Sequence, residues 1–293
     1  MIGEAFGGTT RSLAGPLPFG LHELGPFRLE RALGEGGMGR VFLARDEEEG
    51  RTVAVKVLRP ELVRRRGFFA RFAREAQAGS RVDHPNVVRT LECGLQIVGA
   101  DTLCYLVMEV AEGRTLRDVM RGTLDDADRG SETQARRIAH DVAAGLTAIH
   151  AAGIVHRDIK PENLNVAPDG RVRIMDLGVA KDLTASRALT AAWQFAGSLW
   201  YAAPEQFSGG PIGPWTDLYA LGVVLHEFLS GANPFARSSP GAVSSAHLNE
   251  PPPLLTYVRD DVSPRFAQLV ERLLAKHSDQ RFTSAQGVLE SLL

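Results

Sequence analysis

"HRDIKPEN", residues 156–163, sets an aspartate, a lysine and an asparagine at positions 158, 160 and 163. Read for chemistry, Asp158 would take the proton of an incoming hydroxyl and Lys160 would neutralise a phosphoryl group in transit. Asn163 would offer an oxygen to a divalent cation, and Asp176, in "IMDLG", would add the second oxygen that a hard ion such as Mg²⁺ prefers. Taken singly, each acidic residue is better explained as an ordinary loop residue. Their order along the chain, after a glycine turn and a strand lysine, shifts that balance.

The glycines are Gly34, Gly36 and Gly39, a GxGxxG pattern followed by Val41. Alone it marks a tight turn between strands. A dinucleotide-binding fold places a helix after such glycines, whereas "RVFLAR" reads as a strand. That context fits a flap whose bare backbone N–H groups approach phosphates. Lys56, in "VAVK", sits among apolar strand residues, where a charge is costly unless paired. Glu75 on the next helix is the expected partner, orienting the ammonium toward two phosphates of a nucleotide. The plainer alternative is an edge-strand lysine with its head in water.

Composition bounds the rest. A net charge of −2 with 44% hydrophobic and 23% charged residues is globular, and carries no polybasic field for nucleic acid. Cys93 and Cys104 are too few for a disulfide framework and lack metal spacing. The first 25 residues are rich in Gly and Pro and read as a flexible arm. They hold no apolar run suited to a secretory signal or membrane span. "LYALGVVLHEFL" is short and contains His226 and Glu227, so it reads as a buried helix. A cytoplasmic location is the expectation.

Strands are predicted at 27–33, "RVFLA", 51–58, "VVRTLECG" and "LCYLVMEV", about five in all. A helix bearing Phe68, Phe72 and Ala76 interrupts them at four-residue spacing. Beyond Gly113 the pattern turns helical. Ile138, Val142, Leu146 and Ile149 share one face of a long helix, short strands follow at "LNVA" and "VRIMD", and helices are predicted at 217–230, 264–275 and 284–292. A cleft is expected near 109–113. "RRRG", 64–67, reads as a solvated helix start more readily than as a docking site.

These landmarks, with "LGEGGMGRVFLA", "YLVMEV", "GSLWYAAPEQ", Asp217, Gly222 and Arg281, resemble the eukaryotic-type protein kinase family, in its bacterial serine/threonine branch, over about residues 27–290. The resemblance implies an α+β bilobal fold. A small β-rich N-lobe with one main helix (26–110) would precede a larger, mostly helical C-lobe (111–293). It implies ATP with Mg²⁺ (Mn²⁺ as the alternative), protein substrates bearing Ser or Thr, and self-association for trans-autophosphorylation. Nucleic acid and a membrane segment are not expected. Catalytic roles fall to Lys56, Glu75, Asp158, Lys160 and Asn163, and metal ligation to Asn163 and Asp176. Nucleotide contacts fall to Leu33, Gly34, Gly36, Gly39, Val41, Ala54, Lys56, Met108, Glu109, Ala111, Asn165 and Asp176. Met108 would close the back of the adenine pocket and 109–111 form the hinge. Glu205 and Arg281 would make a buried pair, and Asp217 would clamp the backbone around "HRD". Arg157 beside Asp158 resembles kinases switched by a phosphate, with Thr190 the preferred acceptor and Ser186 next.

Two departures stand out. Leu177 replaces the usual phenylalanine after Asp176, a mild change. Asn165 stands where the family usually has a large apolar side chain beneath the adenine ring. The lost contact is worth about 1–2 kcal/mol, implying weaker nucleotide affinity or an added hydrogen bond to the base. A partner-binding scaffold with little turnover and a small-molecule kinase are the competing expectations. The intact catalytic set argues against the first, and "GSLWYAAPEQ" against the second.

Overall fold

Along Arg51–Leu58 the side chains alternate between two apolar clusters, and this alternation builds the first lobe. Val53, Val55 and Val57 face a cluster with Phe27, Phe42 and Tyr105. Ala54 and Leu58 face the main core, which continues into the rest of the chain. Successive strand residues point to opposite faces, so Lys56 shares the side of Ala54. A computed structural model describes residues 22–64, 67–98, 101–123, 130–177 and 198–293.

The first lobe comprises β1 (Glu23–Leu24), β2 (Phe27–Gly36), β3 (Gly39–Asp46), β4 (Arg51–Leu58), α1 (Pro60–Val63), α2 (Phe68–Gly79), β5 (Thr90–Val98) and β6 (Asp101–Met108). Its six-stranded sheet runs β1-β2-β3-β4-β6-β5. Gly25 N donates to Gln96 Oε1 at 2.7 Å, so the turn after β1 touches the far-edge strand and the sheet curls nearly closed. Strand pairing begins at Glu23, inside the stretch read as an arm, because Leu24 is buried against the sheet. On α2, Phe68, Phe72 and Ala76 are all buried, as their spacing predicts. Burying each phenylalanine contributes about 1.5–3 kcal/mol.

The second lobe follows with β7 (Arg114–Thr115), α3 (Leu116–Thr123), α4 (Glu132–Ala151), β8 (Leu164–Val166) and β9 (Val172–Ile174). Then come α5 (Pro204–Ser208), α6 (Pro214–Ser230), α7 (Pro240–Asn249), α8 (Leu255–Val258), α9 (Pro264–Leu273) and α10 (Ala285–Leu292). Helix α4 starts on a reciprocal cap: Gln134 N donates to Ser131 Oγ at 3.3 Å and Ser131 N to Gln134 Oε1 at 2.9 Å. Helix α6 is buried from Thr216 to Leu229, which accounts for its apolar sequence. Among the described residues no helix is long and apolar enough to cross a membrane. Helix α7 was not predicted, although its start signals are present: Pro240 at the first position and Ser239 Oγ accepting from Ala242 N.

Helix α7 carries His247 into an aromatic cage of Phe207, Tyr219 and Phe235, with Tyr219 Oη 2.9 Å from its Nδ1. Burial, and then nearby Lys276, drives this imidazole down to about 3. The unfolded chain therefore takes up a proton near pH 6.5 that the folded chain refuses until about pH 3. Stability from this residue is present above pH 6.5 and drains as pH falls, by up to about 1.4 kcal/mol per unit. Urea midpoints at pH 7 and pH 5 should separate more in the wild type than in a His247→Asn variant. Equal separations would contradict this assignment.

Candidate active site

The loop 156–163 is shaped by one buried carboxylate. Asp217 of α6 has no exposed surface. Its Oδ2 accepts from His156 N and meets His150 Nε2, both at 2.8 Å, while its Oδ1 accepts from Arg157 N at 2.7 Å. Arg157 has φ +62°, a left-handed conformation that residues bearing a Cβ rarely adopt and that costs about 1–3 kcal/mol. The two hydrogen bonds from consecutive amides hold the backbone there.

That turn brings three of the expected residues together. Asp158 Oδ2 lies 3.2 Å from Lys160 Nζ and 3.1 Å from Asn163 Nδ2, which also donates to Asp158 O at 2.8 Å. Asp158 N donates to His156 Nδ1 at 3.3 Å, leaving His156 Nε2 to donate to Met175 O at 2.9 Å. Met175 N in turn donates to Asn163 O at 2.8 Å. Met175 is thus stitched to the loop on both sides, and Asp176 follows it directly.

Asp176 has φ +59°, and its Oδ2 lies 2.6 Å from Lys56 Nζ across the cleft. The expected Lys56–Glu75 pair is not the one formed. Lys56 pairs with Asp176, while Glu75 is half-buried on α2 and engages another group. The left-handed backbone at 176 carries its carboxylate to β4, so the nearest anion to Lys56 comes from the second lobe. Leu177 is buried, and a Cβ on Gly79 at the end of α2 would lie 2.8 Å from its Cδ1. Leu177 therefore fills an apolar slot against the end of α2.

The three glycines separate by cause. A Cβ on Gly39 would stand 2.0 Å from Val57 O, whereas one on Gly34 or Gly36 would meet nothing within 4 Å. Gly39 is fixed by the β3–β4 approach, and Gly34 and Gly36 border open space. Gly39→Ala should cost about 1–3 kcal/mol in thermal unfolding, with Gly34→Ala and Gly36→Ala close to wild type. Comparable losses at all three positions would contradict the distinction. Leu33, Val41, Ala54, Met108 and Ala111 converge on the main apolar core at the lobe junction. The junction ends at Gly113, whose φ is +115° and where a Cβ would stand 2.1 Å from Val166 O, so no side chain is admitted. Asn165 is buried on β8. Thr190 and Ser186 lie outside the described residues.

A family model described as "Protein kinase domain" matches residues 27–292. The chain belongs to the protein kinase family. The kinase is 36% identical over 267 residues to serine/threonine-protein kinase PknB of Mycobacterium leprae, covering 91% of this chain and 42% of that protein. It is 38% identical over 261 residues to serine/threonine-protein kinase PknA of Mycobacterium tuberculosis, covering 89% of this chain and 59% of that protein. Among solved structures, the Mycobacterium tuberculosis PknI kinase domain superposes with a TM-score of 0.73 at 25% identity, covering 92% of this chain and 96% of that one. The kinase therefore spans about half the length of these curated relatives.

The kinase also contains contacts that reading by motif did not find. Arg117 of α3 donates from Nε to Glu162 Oε1 at 2.8 Å and from Nη1 to Glu227 Oε1 at 2.7 Å. Tyr201 joins the network by accepting from Arg117 Nη2 and donating to Glu227 Oε2. Burial, then Glu227, pushes the Tyr201 phenol above its ordinary range, which keeps it a neutral donor. This cluster ties the turn 161–163 to the segment 198–203. At the hinge, Glu109 Oε1 accepts from Arg89 N at 2.8 Å and from Arg173 Nη2. Arg117 and Glu227 stand 110 positions apart, and no local pattern signals such a pair.

Glu205 and Arg281 meet as the resemblance implied. Nη1 donates to Oε1 at 2.9 Å and Nη2 to Oε2 at 3.0 Å, with both side chains buried. Arg281 also donates to the carbonyls of Ala275, Trp215 and Lys276.

Proposed function

We propose that this chain is an ATP-dependent protein serine/threonine kinase that transfers the γ-phosphoryl group to Ser or Thr hydroxyls. The observation that carries the reading is the Asp158 carboxylate held between Lys160 and Asn163, one stitched residue away from the Asp176–Lys56 pair. The names of the curated relatives support the serine/threonine assignment.

Asp158 receives the substrate hydroxyl proton, and Lys160, 3.2 Å from it, offsets charge on the group in transit. Lys56 leaves Asp176 for the nucleotide phosphates, and Glu75 of α2 takes over its orientation. Asn163 and Asp176 suit Mg²⁺ by chemistry: both present oxygen, and Asn163 commits its Nδ2 to Asp158, which leaves Oδ1 as the donor atom. The bound ion would neutralise the β- and γ-phosphates. Catalysis is then positioning plus electrostatic stabilisation. Leu33, Val41, Ala54 and Met108 would enclose the adenine, with the backbone of 109–111 binding its edge, and Gly34 and Gly36 would leave amides open to the phosphates. The enzyme works in the cytoplasm, where ATP is available. It phosphorylates its own activation segment in a second copy, at Thr190 first and Ser186 next.

Purified protein incubated with Mg²⁺, labelled ATP and a generic protein acceptor should incorporate phosphate on Ser or Thr, mapped by mass spectrometry. Hydrolysis of ATP with no transfer to protein would sink this reading.

A further inference from the structure

Asn165 Oδ1 is buried and has no hydrogen-bond partner among the described residues. The residue is 3% exposed and sits at the centre of β8, paired with Thr115 of β7 and Arg173 of β9. Directly opposed residues of antiparallel strands share a face, so Asn165 and Arg173 point the same way. The direction is set by Arg173, whose Nη2 reaches Glu109 of the hinge and lies 3.1 Å from Val87 O. The other face of this sheet carries Leu164, Val166, Val172 and Ile174 into the main core. Asn165 therefore faces the hinge and the first lobe.

A second polar atom sits beside it in the same condition. Arg173 Nε is also buried without a partner among the described residues. One acceptor and one donor thus lie on neighbouring strands, on one face, beneath the segment that joins the lobes. Orphaned buried polar atoms are few in folded proteins, and each calls for a reason. An apolar side chain at 165 would remove the amide's share of this cost.

We propose that Asn165 is a nucleotide contact, its amide oxygen accepting a hydrogen bond from a donor on the bound adenine nucleotide. This rests on the kinase reading above. The donors such a ligand brings are the exocyclic amine of its base and the hydroxyls of its ribose. In the bound state the amide oxygen is satisfied, and the site gains a polar selection that an apolar floor lacks.

The test is binding, measured by calorimetry with Mg²⁺ on wild type and the near-isosteric Asn165→Leu variant. The ligands are ATP, 2′-deoxy-ATP and the purine riboside triphosphate lacking the 6-amine. Thermal melts without nucleotide accompany them. Asn165→Leu should melt higher. Its affinity relative to wild type should be about fivefold poorer for ATP than for the analogue that lacks the donor, the loss of one hydrogen bond. The added apolar floor acts on all three ligands alike, so it cancels in that comparison. The analogue that restores the ratio is the amine-free purine if the base supplies the donor, and the deoxy analogue if the ribose does. A variant-to-wild-type affinity ratio that is the same for all three ligands overturns the inference. Wild-type protein that binds no ATP would instead defeat the kinase reading itself.

Discussion

Asp158→Asn is expected to lower phosphoryl transfer about 10²–10⁴-fold, with ATP affinity and melting temperature close to wild type. The amide keeps the size of the carboxylate and an oxygen for Asn163 Nδ2, which in wild type lies 3.1 Å from Asp158 Oδ2. It does not keep the basicity that accepts the hydroxyl proton, nor the negative charge opposite Lys160. The backbone that places residue 158 is held from Asp217 through the amides of His156 and Arg157, and none of those bonds is touched. The experiment is single-turnover transfer to a protein acceptor, beside calorimetric ATP binding and a thermal melt. A variant that transfers at wild-type rate would remove Asp158 from the chemistry. One that fails to bind ATP would mean the substitution acts through structure.

Arg281→Ala carries the largest expected loss of stability, about 3–5 kcal/mol. Glu205 is 8% exposed and Arg281 1%, so removing the guanidinium strands a carboxylate away from water. It also strips the carbonyls of Trp215, Ala275 and Lys276 of a donor. Thr216 Oγ1, donating to Glu205 Oε1 at 2.8 Å, does not replace a charge. A domain has roughly 5–15 kcal/mol in total, so this variant should approach the threshold for folding. Arg281→Lys should recover little, because an ammonium does not reproduce a forked contact with both carboxylate oxygens. Urea unfolding of the two variants measures both statements. A lysine variant as stable as wild type would show that charge alone suffices.

Much of this was legible in the chain itself. The mostly apolar run "RTVAVKVL" was legible as a strand, and the four-residue spacing of Phe68, Phe72 and Ala76 as a helix, because burial follows the geometry of each element. The grouping of Asp158, Lys160 and Asn163 was legible because all three lie in one short turn. Pairing across the cleft was not. Lys56 is matched in the sequence to Glu75 on the following helix, whereas Asp176 reaches it through a left-handed backbone turn that residue identity does not announce. Helix α7 escaped because "PGAVSSAH" has almost no apolar periodicity, its burial being confined to Val243, Ala246 and His247. Strand β1 escaped because two residues are too few to alternate, and only their pairing with Phe27 and Arg28 defines them.

The stretch 86–88 lies before the hinge in sequence but is bonded beyond it. Val88 N donates to Ile174 O and Ile174 N to Asn86 O, both at 2.8 Å, and Asn86 Nδ2 donates to Val172 O at 2.9 Å. Arg173 Nη2 adds a bond to Val87 O at 3.1 Å. For anyone building chimeras or complementing fragments, the seam between the two halves is then not a cut at residue 110. A C-terminal fragment starting there would expose the outer edge of β9, and an exchanged N-terminal half would carry three residues, Asn86, Val87 and Val88, whose natural hydrogen-bonding partners belong to the half left behind.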